Sequence, residues 1–91
     1  MKRTMTRRGK FDIISDILVE AAPKGKHDEV RSGATKTSIM INSGITYPML
    51  KSCLGGLEKK DMLAEENGIY TTTEIGLQFL EIYHEIDELL K

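Results

Sequence analysis

The sequence predicts a small, mainly helical α+β domain that contains one β-hairpin. Apolar residues recur at helical spacing in several separate segments, of which residues 74–90 form the longest. The dipeptide Asn67-Gly68 stands between two strand-like segments, and it is the strongest short-range signal for a hairpin. The chain has 91 residues, which is enough for a single domain with one modest core.

The composition is that of an ordinary globular protein, with 40% hydrophobic and 30% charged residues. No apolar run approaches the roughly 20 residues of a membrane-spanning helix, and the basic start lacks the apolar segment of a secretory signal. The one cysteine, Cys53, excludes a disulfide within the chain and fits a reducing compartment. We therefore expect a cytoplasmic protein without a membrane partner.

The formal net charge of -1 hides a strong asymmetry along the chain. Residues 1–36 carry nine Lys and Arg against five Asp and Glu, and residues 37–60 carry three against one. Residues 61–91 carry one against eight. An anionic partner is therefore favoured only if folding gathers the basic parts on one face.

The first half of the chain predicts two helices. Apolar residues at helical spacing predict the first helix from Phe11 to Ala21, before Pro23 ends it. Residues 22–34 are rich in Gly and charged side chains, which favours a polar loop that ends in a short strand. The second helix fits residues 36–43, with Thr35 as its N-cap and a glycine directly after it as its stop signal.

The second half predicts a third helix, a hairpin and a fourth helix. The third helix runs from about Tyr47 to Lys60, because three leucines fall on one face; Thr46 or Tyr47 caps it, and Pro48 helps to fix its start. The two strands are residues 62–66 and 69–72. The last helix spans residues 74–90, and any of the three threonines before it can serve as the cap.

The order of elements is helix, loop, helix, turn, helix, hairpin, helix. A tight helix-turn-helix followed directly by a two-stranded hairpin is the layout of a winged helix-turn-helix domain. We expect a basic mobile arm in residues 1–10 and the winged helix-turn-helix in residues 11–73. An extended C-terminal helix in residues 74–91 completes the core.

Three motifs also stand in order: Gly-x-x-Lys-Thr-x-Ile-Met, Leu-x-x-Leu-x-x-x-Gly-Leu and Leu-Thr-x-x-Gly-x-x-Phe-Leu. They are matched by Gly33, Lys36, Thr37, Ile39, Met40, Leu54, Leu57, Met62, Thr73, Gly76, Phe79 and Leu80. Over roughly residues 10–90 the chain resembles an archaeal winged-helix family that commonly shows these motifs. Asp61 replaces the usual Gly, Thr72 replaces the usual Leu, and residues 23–31 look like an insertion.

That family includes small chromatin-associated proteins and transcription regulators. The resemblance implies that the protein binds duplex DNA, and several members of the family dimerise through the long last helix.

The third helix is the first candidate for a DNA contact. If its leucines face inward, polar and small residues lie on its exposed side, where they can meet phosphates or base edges. The residues assigned to DNA in this region are Thr46, Tyr47, Lys51, Ser52 and Gly55. Gly55 and Gly56 each weaken the helix by roughly 0.5–1 kcal/mol, which close approach to DNA would explain. Packing of another helix against the glycines is the alternative.

Two other segments are candidates for phosphate contacts. Lys36, Thr37 and Ser38 open the second helix, whose free N–H groups suit an anion, although simple capping explains these residues as well. The basic arm can follow the DNA backbone or enter a minor groove, or it can serve only as a solubilising tail. Its candidate residues are Arg3, Arg7, Arg8 and Lys10. The hairpin tip carries Glu65 and Glu66, which we expect to lie away from phosphates.

The last helix carries a second apolar stripe with the 4-3-4-3 spacing of a heptad seam. The residues assigned to a homodimer contact are Ile75, Phe79, Ile82, Ile86, Leu89 and Leu90. A fold-back of this helix on the first helix, which buries all of them in one chain, is the alternative.

Catalysis has little support in the sequence. His27 lies in a polar loop, His84 lies on a charged helix face, and Cys53 falls on the apolar stripe of the third helix. Glu81 and His84 have a metal-ligand spacing, but such sites need ligands from several facing helices. We expect no enzyme activity, cofactor, metal or small-molecule ligand.

The sequence thus predicts a homodimeric protein that binds duplex DNA, with or without sequence preference. Its expected role is that of a transcription regulator or a nucleoid-associated protein. A winged-helix module that binds proteins and not DNA is the alternative, favoured by the acidic hairpin tip and the near-zero net charge.

Overall fold

The computed structural model describes residues 9–23 and 33–90. All four predicted helices and both strands of the predicted hairpin are present and in the predicted order. The elements are α1 (Lys10–Ala21), α2 (Lys36–Ser43), α3 (Tyr47–Lys59), β1 (Leu63–Glu66), β2 (Ile69–Thr72) and α4 (Glu74–Leu89). Lys10 is the first residue of α1, so its assignment to a mobile arm was wrong. Arg3, Arg7 and Arg8 lie outside the described residues, as does most of the polar loop.

The helix α1 lies at the centre of the core. Ile17, Leu18 and Ala21 have no exposed surface, and α1 packs against α2, β2 and α4. Its first turn is fixed by Asp12, whose carboxylate accepts a hydrogen bond of 3.1 Å from the Gly9 N–H. Such a contact satisfies one of the N–H groups that a helix start leaves unpaired.

The turn between α2 and α3 follows the predicted pattern. Gly44 ends α2 in the left-handed conformation, with φ of 65°. Thr46, and not Tyr47, caps α3, because its hydroxyl accepts the Met49 N–H at 3.4 Å. Pro48 occupies the first turn of α3, where the helix needs no N–H from it.

The strands β1 and β2 form an antiparallel pair in which Leu63 lies opposite Thr72. Asn67 and Gly68 both have positive φ, at 54° and 83°, as a type I′ turn requires. The short strand predicted at the end of the polar loop is a single bridge between Ala34 and Tyr70.

The two departures from the family motifs each have a structural reason. Asp61 has φ of 60°, a conformation in which Asp is better tolerated than most residues, and it ends the turn after α3. Thr72 is buried, and its hydroxyl donates a 2.7 Å hydrogen bond to the Leu18 carbonyl. That carbonyl belongs to the last turn of α1, where helices leave oxygens without a partner. Thr72 thereby ties the end of α1 to β2.

The start of α4 is also fixed by close contacts. Of the three candidate threonines, Thr73 is the cap, because its hydroxyl accepts the Gly76 N–H at 3.2 Å. The same hydroxyl donates to the Asp61 carbonyl at 2.6 Å. At Gly76, an added Cβ would lie 2.5 Å from the Met62 carbonyl oxygen. Only glycine lets α4 approach the backbone before β1 this closely.

Gly33 and Gly76, the glycines of the family motifs, differ from the two glycines of α3 in the space around them. At Gly33, which has φ of 93°, a Cβ would lie 2.7 Å from the Tyr70 carbonyl oxygen, whereas at Gly55 and Gly56 it meets no described atom within 4 Å. The first kind of glycine is required by packing, and the second kind is not.

We predict opposite effects of alanine at two helical glycines. Gly76→Ala forces a displacement of the backbone at Met62 and is expected to lower the free energy of unfolding by about 1–3 kcal/mol. The matched control Gly56→Ala lies in open space and is expected to raise it by roughly 0.5–1 kcal/mol. Urea unfolding followed by circular dichroism measures both changes. A Gly76→Ala protein as stable as the unchanged chain contradicts this account of α4 packing.

Candidate functional site

The outer face of α3 is the most exposed surface that the helix-turn-helix presents. Leu50, Leu54 and Leu57 are buried, as predicted, so the opposite side of the 13-residue helix faces solvent. At about 100° per residue, the outward stripe consists of Pro48, Ser52, Gly55 and Lys59, with Lys51 and Gly56 beside it. All of them are exposed. The helix is about 20 Å long, and a major groove of about 12 Å width admits an α-helix.

The exposed glycines have no side chains, so the middle of this face is a smooth surface of helix backbone. Because no described atom lies within 4 Å of a Cβ built at Gly55 or Gly56, packing of another helix of the described chain does not explain them. This excludes the packing alternative for the described residues. A ligand surface can therefore approach the backbone of α3 between Lys51 and Lys59.

Lys51 is held against the aromatic ring of Tyr47. Its Nζ lies 5.9 Å from the ring centroid, within the range of a cation–π contact. Both side chains are exposed, so the contact contributes on the order of 0.5–1 kcal/mol and leaves the ammonium group accessible. The pair sits one turn from the start of α3, at one edge of the smooth surface.

The buried phenol of Tyr70 marks where α2 and the hairpin meet one flank of α3. Burial raises the pKa of Tyr70, and the positive charge of Lys36 opposes that shift. Glu58 and Tyr47 of α3, together with Glu65 of β1, add to the shift. Lys36 therefore lies on the side of the domain that carries Tyr47 and its partner lysine.

The half-buried thiol of Cys53 marks the other flank of α3. Burial raises the pKa of Cys53, while the positive charge of Lys10 lowers it in part. A thiol whose pKa is raised stays protonated near neutral pH and is a poor nucleophile, in agreement with the prediction of an inert core thiol. The opposing effect of Lys10 places the start of α1 near this flank. Basic residues of α1 and α2 thus approach α3 from two sides.

The start of α2 is occupied in part by groups of the protein itself. The Thr35 hydroxyl accepts the Ser38 N–H at 3.1 Å, which confirms the predicted cap. The Ser38 hydroxyl donates to the Glu20 carboxylate at 2.9 Å, and Asn42 donates to the same oxygen at 2.9 Å. Ser38 therefore faces α1, and its predicted contact with DNA has no free hydroxyl to make it. Lys36 and Thr37 are exposed and remain candidates.

The hairpin tip is acidic and folded on itself. The Glu65 carboxylate accepts the Gly68 N–H at 2.8 Å, which draws one negative charge onto the turn. Glu66 is exposed. The tip offers no cation to a phosphate.

The apolar stripe of α4 is largely exposed. Leu89 and Leu90 are 82% and 79% exposed, and Ile82 and Ile86 are more than half exposed. The helix α4 does pack against α1, as the fold-back alternative supposes, but this packing does not bury the stripe, so that part of the alternative is wrong for the described residues. Only Phe79 is partly covered, by contacts with other rings of its own chain.

Within residues 9–23 and 33–90, no group of His, Cys, Asp and Glu is arranged to hold a metal ion. His84 is exposed and makes an edge contact with the Tyr83 ring, while His27 lies outside the described residues. The same part of the chain has no helix with the length and apolar content to cross a membrane.

A family model described as winged helix-turn-helix matches residues 7–91, which is nearly the whole chain. The chain belongs to the winged helix-turn-helix family. In this winged-helix domain, α2 and α3 form the helix-turn-helix and the β1–β2 hairpin is the wing. The family assignment and the helical fold class predicted from the sequence are thereby confirmed.

A solved structure is similar to the winged-helix domain over most of its length. It is the crystal structure of Sso10a-2, described as a DNA-binding protein from Sulfolobus solfataricus, and the two chains are 29% identical. The match covers 91% of this chain and 85% of that one, with a TM-score of 0.69. A comparison with curated protein sequences found no match.

Sequence reasoning missed one candidate on the outer face of α3. Lys59 stands four residues after Gly55 and eight after Lys51, so it shares their side of the helix. The signal was available in the sequence, since helical spacing counted from Tyr47 gives the same result. Thr46, Tyr47, Lys51, Ser52 and Gly55 are all exposed as expected, and their contact with DNA stays a prediction.

Proposed function

We propose that this winged-helix protein binds duplex DNA by placing the outer face of α3 in the major groove. The observation that carries the proposal is the exposed glycine pair between Lys51 and Lys59, which no contact within the described chain explains. A bare helix surface flanked by two cations lets the backbone come close to DNA while the lysines reach phosphates. The likeness to Sso10a-2, a DNA-binding protein, supports the same function.

The proposed binding depends little on base sequence. Side chains that recognise single bases by paired hydrogen bonds are chiefly Arg, Asn and Gln, and Lys reads guanine. The segment from Tyr47 to Lys59 contains no Arg, Asn or Gln. On a surface of Gly, Ser, Pro and Lys, only the Lys and Ser side chains can reach base edges, so phosphate contacts, which position a protein without selecting a sequence, outweigh base contacts. This composition favours a nucleoid-associated protein over a regulator of one promoter.

Further phosphate contacts come from the flanks of α3. Lys10 on one flank and Lys36 with Thr37 on the other extend the cationic surface beyond the helix itself. The arginines at positions 3, 7 and 8 precede Lys10 in the sequence, and in this proposal they add further phosphate contacts. The wing stays off the backbone, because Glu66 near a phosphate is repulsive.

The acidic wing is the observation that favours the second candidate, a domain that binds proteins and not DNA. A wing that meets phosphates normally carries Lys or Arg, and this one carries Glu65 and Glu66. The two candidates differ in salt dependence, since release of counterions from DNA gives a steep loss of affinity with salt.

The protein acts as a homodimer through α4 in this proposal. Large apolar side chains with such exposure in one stripe are typical of surfaces that pair with a second chain. Two linked domains then contact DNA at sites about one helical turn apart, or a multiple of that distance. The acidic α4 helices point away from the phosphates.

We predict that the lysines of α3 set the salt dependence of DNA binding. Lys51→Gln and Lys59→Gln are each expected to reduce the slope of log affinity against log salt by about 1 per domain, because each removes one phosphate contact. Titration of a random duplex at several salt concentrations measures the slope. Glu81→Gln on α4 is the control and changes one charge without changing the slope. Absence of duplex binding at low salt would contradict the proposal that the protein binds DNA.

We predict that bulk at Gly55 blocks DNA without harming the fold. Gly55→Leu adds a side chain to open space and is expected to weaken duplex binding by roughly tenfold or more, which corresponds to about 1.4 kcal/mol. Gly55→Ala is the matched control with the same gain in helix propensity and little bulk. Equal affinities of the two variants, with unchanged unfolding transitions, show that α3 does not approach DNA at this residue.

We predict that the dimer depends on the C-terminal half of α4. Changing Ile86 and Leu89 together to Ser removes exposed apolar surface and is expected to return the protein to the mass of one chain. Sedimentation equilibrium measures that mass, and Leu77→Ser, which alters an exposed residue of α4 outside the stripe, serves as the control. A mass that the double substitution leaves unchanged contradicts dimerisation through α4.

A further inference from the structure

An apolar groove lies between the first turn of α1 and the C-terminal half of α4. Its volume is about 450 Å³, and Phe11 stands on one side with Ile82 and Ile86 on the other. Three charged residues, Lys10, Asp12 and Asp87, also contribute to the lining. The groove therefore belongs to two helices, whereas the apolar stripe read from the sequence belongs to α4 alone.

Phe11 covers part of the apolar stripe of α4. Its ring centroid lies 6.3 Å from that of Phe79, and Phe79 lies 6.2 Å from Tyr83. Phe79 is half-buried as a result, although the heptad spacing assigns it to a contact with a second chain. Phe11 itself is 63% exposed. A partner that approaches α4 at this level meets Phe11 first.

The first turn of α1 is linked to α4 by a hydrogen bond. The Tyr83 hydroxyl donates a hydrogen bond to one oxygen of Asp12, and the other oxygen accepts the Gly9 N–H. One carboxylate thus fixes both the start of α1 and its distance from α4.

We propose that the first turn of α1, through Phe11, completes the surface on α4 that receives a second copy of this chain. This inference rests on the homodimer put forward above and adds to it a residue from outside α4. The partner surface is the same composite of Phe11 and α4, because a two-fold contact uses one patch on both chains.

The exposed area favours a second copy as the occupant. Six large apolar side chains of this surface are exposed: Phe11, Ile75, Ile82, Ile86, Leu89 and Leu90. At roughly 60–120 Å² of apolar burial for each, they bring about 350–700 Å² of apolar surface per chain, and with the polar rim around them this approaches the roughly 600–1,000 Å² per partner of a standard interface. A small ligand in the groove leaves Ile75 and Leu89 uncovered, since neither lines it.

Charge at the groove also favours a second copy. The α4 helix carries five carboxylates and no Lys or Arg between Glu74 and Leu89, so two α4 helices alone repel each other. Lys10 brings a cation to the lining of the groove, which also contains Asp87. A contact that includes the first turn of α1 therefore offsets part of the repulsion.

The test compares single substitutions in the full-length chain by sedimentation equilibrium. Phe11→Ser is expected to raise the dissociation constant of the dimer by at least roughly tenfold, because each dimer loses two buried rings. Phe11→Leu keeps an apolar side chain and is expected to keep most of the affinity. Val19→Ser is the matched control, since Val19 is an exposed residue of α1 that does not line the groove. Thermal unfolding confirms that each variant is folded.

Parallel measurement of Ile86→Ser separates two kinds of failure. If Ile86→Ser weakens the dimer and Phe11→Ser does not, the dimer stands and the role of Phe11 is overturned. If the unchanged chain has the mass of one copy at every concentration, the homodimer itself fails and this inference fails with it. Binding to a duplex long enough for one domain is expected to be equal for Phe11→Ser and the unchanged chain, so loss of self-association is not confused with loss of DNA binding.

Discussion

Burial of α1 is the constraint on which the rest of the structure depends. Ile17, Leu18 and Ala21 have no exposed surface because α2, β2 and α4 pack around the same helix. Each of these elements therefore turns one face inward toward α1. The helix α3 completes the core with a single leucine stripe and leaves its outer face exposed to solvent. The free surface of the helix-turn-helix is thus a consequence of how a small core is filled.

The fold also separates basic from acidic residues. In the sequence, basic residues predominate in residues 1–60 and acidic residues in residues 61–91. Lys10 and Lys36 belong to different helices. Burial raises the pKa of Cys53 on one flank of α3 and that of Tyr70 on the other; the charge of Lys10 opposes the first shift, and the charge of Lys36 opposes the second. The acids of the last third of the chain lie mainly on α4. A net charge of -1 is therefore compatible with a cationic face, since net charge describes the whole chain and binding depends on local potential.

Local signals in the sequence predicted the helices, the hairpin and most caps, because spacing and turn chemistry act within a few residues. They did not choose Thr73 among three threonines, since that choice depends on the distant carbonyl of Asp61. They placed Ser38 at a free helix start, where the fold instead gives its hydroxyl to Glu20, 18 positions earlier. The sequence thus predicts which helix face a candidate side chain occupies. It does not predict the hydrogen-bond partner of that side chain, because the partner is set by tertiary contacts.

The length of chain between hydrogen-bonded partners has a consequence for how the protein is made. Tyr83 bonds to Asp12, which is 71 positions earlier, and Thr72 bonds to the Leu18 carbonyl, which is 54 positions earlier. During synthesis α1 therefore emerges first and waits, with Ile17 and Leu18 uncovered, until α4 has been translated. Chains that stop before Thr72 cannot bury this helix and present an apolar surface to chaperones and proteases. The domain becomes stable only after α4 has been synthesised, so chains that lack α4 are the ones exposed to quality control.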